Sequence, residues 1–182
     1  KSKINILEYL NTNCDYSDYD FIQFLNSIVI TNDDLKIVFD KDYVDGIYQI
    51  IINNIEKIKN IKKVPVKAFN NKEGTLYICV NKDKDKDKDK DHSLFEWVIV
   101  DEDQIKSIMK HFNKKLLPLF LKWKETNEKL LNSDDFTFTY VKNMKCVLGT
   151  NYEKKNKNAM LQNKLYKYLK ENLKNIVSCE FI

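Results

Sequence analysis

Arginine is absent: all 31 basic side chains are lysine. The planar guanidinium fork is the commonest reader of guanine and the best bidentate holder of phosphate, so its absence weighs against sequence-specific reading of a nucleic acid. Glycine and proline are nearly missing too, with 3 and 2 copies. Gly46, Gly74 and Gly149 stand alone, which excludes a glycine-rich loop cradling phosphates. The only histidines are His92 and His111, too few and too isolated to place a base beside a serine or cysteine nucleophile. Four cysteines, Cys14, Cys79, Cys146 and Cys179, are scattered with no C-x-x-C pair, and structural zinc needs its ligands in close pairs. No apolar run approaches the roughly 20 residues that span a bilayer. No signal-like segment is present either.

What remains is ample for folding. In 182 residues, 43% are hydrophobic and 12% aromatic, which rules against global disorder; the formal charge is only +4. The excess of Lys, Asn, Ile, Tyr and Phe is the signature of coding sequence rich in A and T. Cys79 and Cys146 have apolar neighbours such as Ile78 and Val147 and read as small core residues in a reducing compartment. Because the chain starts at Lys1, without Met, it is expected to be a piece of a longer protein.

The order of elements follows from periodicity. "INILEYLNTNC" sets Ile4, Leu7, Tyr9 and Leu10 near one helical face. The cap-rich "DYSD" leads to "YDFIQFLNSIVI", with Phe21, Ile22, Phe24, Leu25 and Ile28. "TNDDLKIVF" reads as a connector. "DYVDGIYQIIINNIEKIKNI" carries Val44, Ile47, Ile51, Ile55 and Ile58 three or four apart, the clearest helix of this third. The period then changes to two. "KKVPVKAF", a turn over Asn70 to Gly74 and "TLYICV" read as a β-hairpin, and "LFEWVIV" as a third strand. "DEDQ", Asp101 to Gln104, has capping-box spacing before the stripe Ile105, Ile108, Met109, Phe112, Leu116, Phe120 and Trp123. Pro118 is expected to kink or divide that helix. "FTFTYVKNMKCVLG" alternates like a strand at Phe136, Phe138 and Tyr140, but Tyr140, Met144, Val147 and Leu148 fit a helix closed by Gly149, the reading preferred here. A last helix carries Leu161, Leu165, Tyr168, Leu169, Leu173 and Ile176. The expected class is α+β: mainly helical, with a small antiparallel meander mid-chain. Residues 1–80 supply helices and hairpin, 81–93 a loop, and 94–182 the third strand and C-terminal helices, together one domain.

"NKDKDKDKDKDH", Asn81 to His92, separates the second and third strands. Alternating charge of zero net sum cannot bury and gains little from pairing in water. Loop closure grows costly only slowly with length, so a solvated insertion born of codon slippage is the expected reading.

Carboxylate pairs occur at Asp33/Asp34, Asp101/Asp103 and Asp134/Asp135. Each precedes an element whose first backbone N–H groups an acid can satisfy, so capping is favoured over a metal-dependent nuclease, for which a two-metal site would be needed. His111 lies between lysines and Phe112 on a helix and reads as a face-edge residue. No catalytic residue, metal site, cofactor or small-molecule substrate is inferred. For nucleic acid there is more. Three helices and a hairpin are the order of a winged-helix domain, in which the helix from Tyr43 to Asn60 would enter the major groove. Lys57, Lys59, Lys62, Lys63 and Lys67 form a basic cluster available to phosphate, and Lys154, Lys155 and Lys157 a second. Asp42 and Asp45 oppose this at the start of that helix. Protein contact or self-association is the third class; without sustained heptads it would be globular.

Taken in order, "INILEYLNTNC", "FIQFLNSIVITNDDL", "YVDGIYQIIINNI", "KKVPVKAFNNKEGTLYIC" and "FEWVIVDEDQIKSIMKHFNKKLLPLFLKWKETN" resemble a C-terminal domain of zinc-finger and coiled-coil proteins of giant (nucleocytoplasmic large DNA) viruses. No activity is established for that family. Its "RPIHCTD"-type phrase is replaced here by "VPVKAFN", without His or Cys, so no site transfers; "LYIC", Trp97, and Trp123 in "KWKETN" keep the later landmarks. The resemblance implies a nucleic-acid-associated viral protein in host cytoplasm or viral factory. The expected function is a non-enzymatic binding module mediating oligomerisation or partner contact, with direct DNA binding through a winged-helix-like N-terminal half as the alternative.

Overall fold

The computed structural model describes residues 5–13, 19–82, 95–130 and 133–173. The fold is α+β and mainly helical. In chain order the elements are α1 (Ile6–Asn13), α2 (Phe21–Ser27), α3 (Asn32–Lys41), α4 (Tyr43–Glu56), β1 (Val66–Phe69), β2 (Tyr77–Asn81), β3 (Phe95–Ile99), α5 (Glu102–Glu128), α6 (Ser133–Leu148), α7 (Lys157–Leu169) and β4 (Lys170–Glu171). Most of the Lys-Asp run, with Cys14, Cys179, His92, Ile176 and the "DYSD" cap, lies outside the described residues.

The chain divides into two compact units, each drawn from separated stretches. The first comprises the described residues within Lys1–Ser27, Lys57–Asp101 and Gln162–Ile182, and the second those within Ile28–Glu56 and Glu102–Leu161. The boundaries expected at 80 and 94 fall inside the first unit.

The first unit is built on a sheet of order β3-β2-β1-β4. The meander is as expected: β1 pairs antiparallel with β2 (Val66↔Ile78), and β2 with β3 (Cys79↔Trp97). Gly74, at φ 70, supplies the left-handed residue of the hairpin loop. Phe69, Tyr77, Cys79 and Trp97 pack with Ile6, Tyr9 and Leu10 of α1 and with Leu173. The outer edge of β3 is closed by a side chain. The Asn11 amide accepts from the Trp97 backbone N–H at 2.8 Å and donates to its carbonyl at 3.2 Å, standing in for a further strand.

The opposite edge shows a departure from periodicity. The apolar pattern continues from α7 to Val177, yet the helix stops at Leu169 and Lys170–Glu171 pair in parallel with Ala68 and Phe69. The Asn70 N–H also donates to the Glu171 carbonyl at 3.0 Å. Both residues have good helix propensity; the open edge of β1 offers backbone partners that outweigh it.

The second unit is helical. "TNDDLKIVF" is not a connector but α3, started by a reciprocal capping box. The Thr31 hydroxyl accepts from the Asp34 N–H, and the Asp34 carboxylate from the Thr31 N–H at 2.8 Å. The motif was concealed because Asp occupies the place where Glu or Gln marks such a box. Gly46 of α4 brings the two helices together: a Cβ there would lie 2.8 Å from the Val38 Cα. Pro118 does not divide α5, which runs as one helix from Glu102 to Glu128, so of the two outcomes expected of the proline, a kink or a division, the division does not occur. Its apolar residues on both sides, Phe112, Leu116 and Phe120, are buried, which offsets the one backbone bond a proline removes. "FTFTYVKNMKCVL" is helical, as preferred, and ends at Gly149 with φ 67.

α4 overturns the groove-entering role expected of it. Tyr43, Val44, Gly46, Ile47, Ile50, Ile51, Ile52 and Ile55 are all buried, and of its residues only Glu56 is exposed. Such a helix is the core of its unit, and the residues that are not buried, apart from Glu56, are only half-exposed, too little for a face laid in a groove. The hairpin that would have been its wing belongs to the first unit.

Candidate functional site

The five candidate lysines all fall in the first unit. Lys57 follows the end of α4; Lys59 is on the connector; Lys62 and Lys63 sit in a 3-10 turn, Ile61–Lys63, capped by Asn60. Lys57, Lys59 and Lys62 are exposed and Lys63 half-buried. Lys67, in β1, lies with its ammonium 5.5 Å from the Trp97 ring centroid, a packing role as much as a surface one. Lys154, Lys155 and Lys157 belong to the second unit, where Lys157 lies over Tyr43, 5.3 Å from its centroid, and donates to the Gly149 carbonyl at 3.2 Å.

Around Tyr43 the second unit gathers several hydrogen-bonded polar groups. The Tyr43 hydroxyl donates to Asn113 Oδ1 at 2.6 Å, and the Val44 N–H donates to the Tyr152 hydroxyl at 3.0 Å. Asp42, at φ 73, accepts from the Tyr43 N–H at 2.8 Å and from Asn151 Nδ2 at 3.1 Å. The Cys146 thiol is directed at the Phe39 carbonyl, 3.7 Å away. Burial, and then the charge of Asp42, raise the thiol above its ordinary range, the reverse of what a nucleophile needs. Burial likewise raises Tyr43 and Tyr152. These groups secure the start of α4 and are poorly suited to attack a substrate.

His111 meets the Phe112 ring edge-on at 5.8 Å on α5. Among the described residues, no three His, Cys, Asp or Glu side chains gather to hold a metal ion. Asp33 and Asp34 start α3, Asp103 lies in the first turn of α5, and Asp134 and Asp135 in that of α6. No described helix is long and apolar enough to cross a membrane.

The feature without a structural use is apolar. α5 and α6 lie antiparallel, joined by stacked rings: Phe120 on Tyr140 at 5.7 Å and Trp123 on Phe136 at 6.1 Å. Lys124 covers the Tyr140 ring at 4.8 Å. Away from that seam, α6 presents Phe138, 75% exposed, with Val141 and Leu148, and α5 presents Leu117 and Leu121. Sequence reasoning left these residues unassigned as a surface. The signal was in "FTFTY": on a strand its three aromatics share a face, whereas on a helix Phe136 and Tyr140 point one way and Phe138, two residues off, is turned about 200° from them.

Neither a family model, nor a curated protein, nor a solved structure matches the chain. The likeness to giant-virus C-terminal domains therefore stands on the quoted phrases alone.

Proposed function

We propose that this chain is a non-enzymatic binding module that mediates oligomerisation or partner contact through the exposed apolar face of α5 and α6. The observation that carries this is Phe138, three-quarters exposed and accompanied by Val141 on its own helix and by Leu117 and Leu121 on the neighbouring one. Single surface leucines need no explanation, but apolar residues grouped at helical spacing on adjacent helices mark an interaction site. The resemblance in sequence supplies the wider setting: a nucleic-acid-associated protein of a giant virus, acting in host cytoplasm or viral factory.

Light scattering on the purified chain, with an apolar fluorescent dye added to the same sample, tests the reading. The expected result is either a mass above one chain or a monomer that binds the dye, each abolished by Leu121→Asp with Phe138→Asp. A monomer that binds no dye overturns it. Direct binding of nucleic acid is the second reading, favoured by the exposed Lys57, Lys59 and Lys62 on one short connector. Titration of a fluorescent duplex across a salt series decides it, because phosphate contacts by lysine weaken steeply with salt.

A further inference from the structure

The partner of the α5–α6 face is written in its own charges. Down one exposed stripe of α5, at spacings of four, three, four, four and three, run Lys110, Lys114, Leu117, Leu121, Glu125 and Glu128. All six are exposed. The outer stripe of α6 reads Asp134, Phe138, Val141 and Lys145, at spacings of four, three and four, and all four are exposed. Each stripe is apolar at its centre and oppositely charged at its two ends.

The centres coincide. Lys110 with Glu128, Lys114 with Glu125, and Leu117 with Leu121 are each centred within one residue of Phe120. Asp134 with Lys145 and Phe138 with Val141 are each centred within one residue of Tyr140. Phe120 and Tyr140 are the rings that stack at 5.7 Å, so the two helices share one midpoint. At 1.5 Å per residue the ends of the α5 stripe lie about 27 Å apart, and those of the α6 charge pair about 16 Å. Because the helices are antiparallel, the acids of both fall at the hairpin tip and the lysines of both at its base.

We infer that this face binds a second copy of the same chain about a two-fold axis through that midpoint. Turning a copy by half a revolution sets lysines against acids at both ends, Leu117 against Leu121, and Phe138 against Val141. A two-fold interface must be complementary to itself under this operation, and the order of charges is. A parallel arrangement would instead place Lys110 on Lys110 and Glu128 on Glu128. Within one chain, Lys110 and Lys114 are like charges four apart and repel weakly; opposing carboxylates relieve them. The inference rests on the docking role proposed for this face and adds the identity and direction of the partner.

Sedimentation of the full chain over a concentration series, with two charge-swapped variants, tests it. The wild type is expected to reach the mass of two chains. Lys110→Glu with Lys114→Glu makes both ends of the α5 stripe acidic, and Glu125→Lys with Glu128→Lys makes both basic. Each variant alone is expected to dimerise about tenfold or more weakly, since four favourable pairs become repulsive. Mixing the two variants restores every pair, so a mixed dimer is expected at wild-type strength. A wild-type chain that stays monomeric at millimolar concentration overturns the inference. A wild-type dimer untouched by either variant, or variants that fail to recover on mixing, overturns it as well. A monomer that binds apolar dye through Phe138 overturns only the second copy and leaves the docking face; one that binds no dye removes both.

Discussion

At the residue scale, Gly149 and Tyr43 hold the second unit together at one point. Gly149 has φ 67, and a Cβ on it would lie 2.7 Å from the Tyr43 ring, which itself carries the Lys157 ammonium. Gly149→Ala therefore adds left-handed strain to a clash with a buried ring. The expected loss is about 2–4 kcal/mol, read as a lower urea midpoint with an unchanged slope. Burial raises Tyr43, Tyr77 and Tyr152 above the ordinary tyrosine value of 10.0, with the hydrogen bond to Asn113 partly opposing this for Tyr43. The unfolded chain thus loses these protons first. Stability they confer is complete below pH 10 and is lost as pH rises through the unfolded value towards the folded ones. Burial lowers Lys115, whose ammonium donates to the Ile28 carbonyl at 2.6 Å, and this acts in the opposite direction over that range. Melting temperatures of Tyr43→Phe against wild type isolate the share of Tyr43: the difference should shrink or reverse between pH 9 and 11.

At the element scale, local chemistry and tertiary partners compete. α3 is settled locally, by the Thr31–Asp34 box and three buried apolar residues, Leu35, Val38 and Phe39. β4 is settled from outside, by the edge of β1. β3 lies between: its alternation predicts a strand, but its place at the end of the sheet turns the Trp97 backbone groups outward, where Asn11 satisfies them. Asn11→Ala removes both bonds and opens the edge. A loss of about 1–3 kcal/mol is expected, together with faster aggregation on warming, whereas Asn11→Gln, whose amide sits one methylene further out, should recover little. An unaltered melting curve for the alanine variant would show that the edge needs no cover.

At the scale of the whole molecule, positive charge is carried by lysine alone, spread over both units, and against 27 acidic residues it leaves a formal sum of only +4. Such a surface favours weak, salt-sensitive contact with phosphate over the reading of bases. If all five of Lys57, Lys59, Lys62, Lys63 and Lys67 met a duplex, log affinity against log salt would fall with a slope of about −4 to −5. Substituting Lys57 and Lys59 by Glu should then flatten it by about 2. A slope that does not change takes the connector out of any such contact. The antiparallel dimer predicts a different response: pairs at its ends weaken with salt, while the apolar centre holds or tightens.

Short-range signals along the chain already carry the class, the meander, the stripes of α4 and α5, the core cysteines and the place of the paired acids at helix starts. These follow from short-range rules: periods of two and 3.6, caps, and the need to bury apolar side chains. The tertiary structure alone decided that α4 lies buried, that α5 passes through Pro118, and that Lys170–Glu171 leave the helical pattern for an open strand edge. It also decided which of the lysines lie over aromatic rings. The apolar face belongs between the two. Its residues were visible in "FTFTY" and in Leu117 and Leu121, but a pattern does not say which side of a helix its neighbours cover. Only the stacking of Phe120 on Tyr140 fixed that side, and with it the shared midpoint of the two charged stripes.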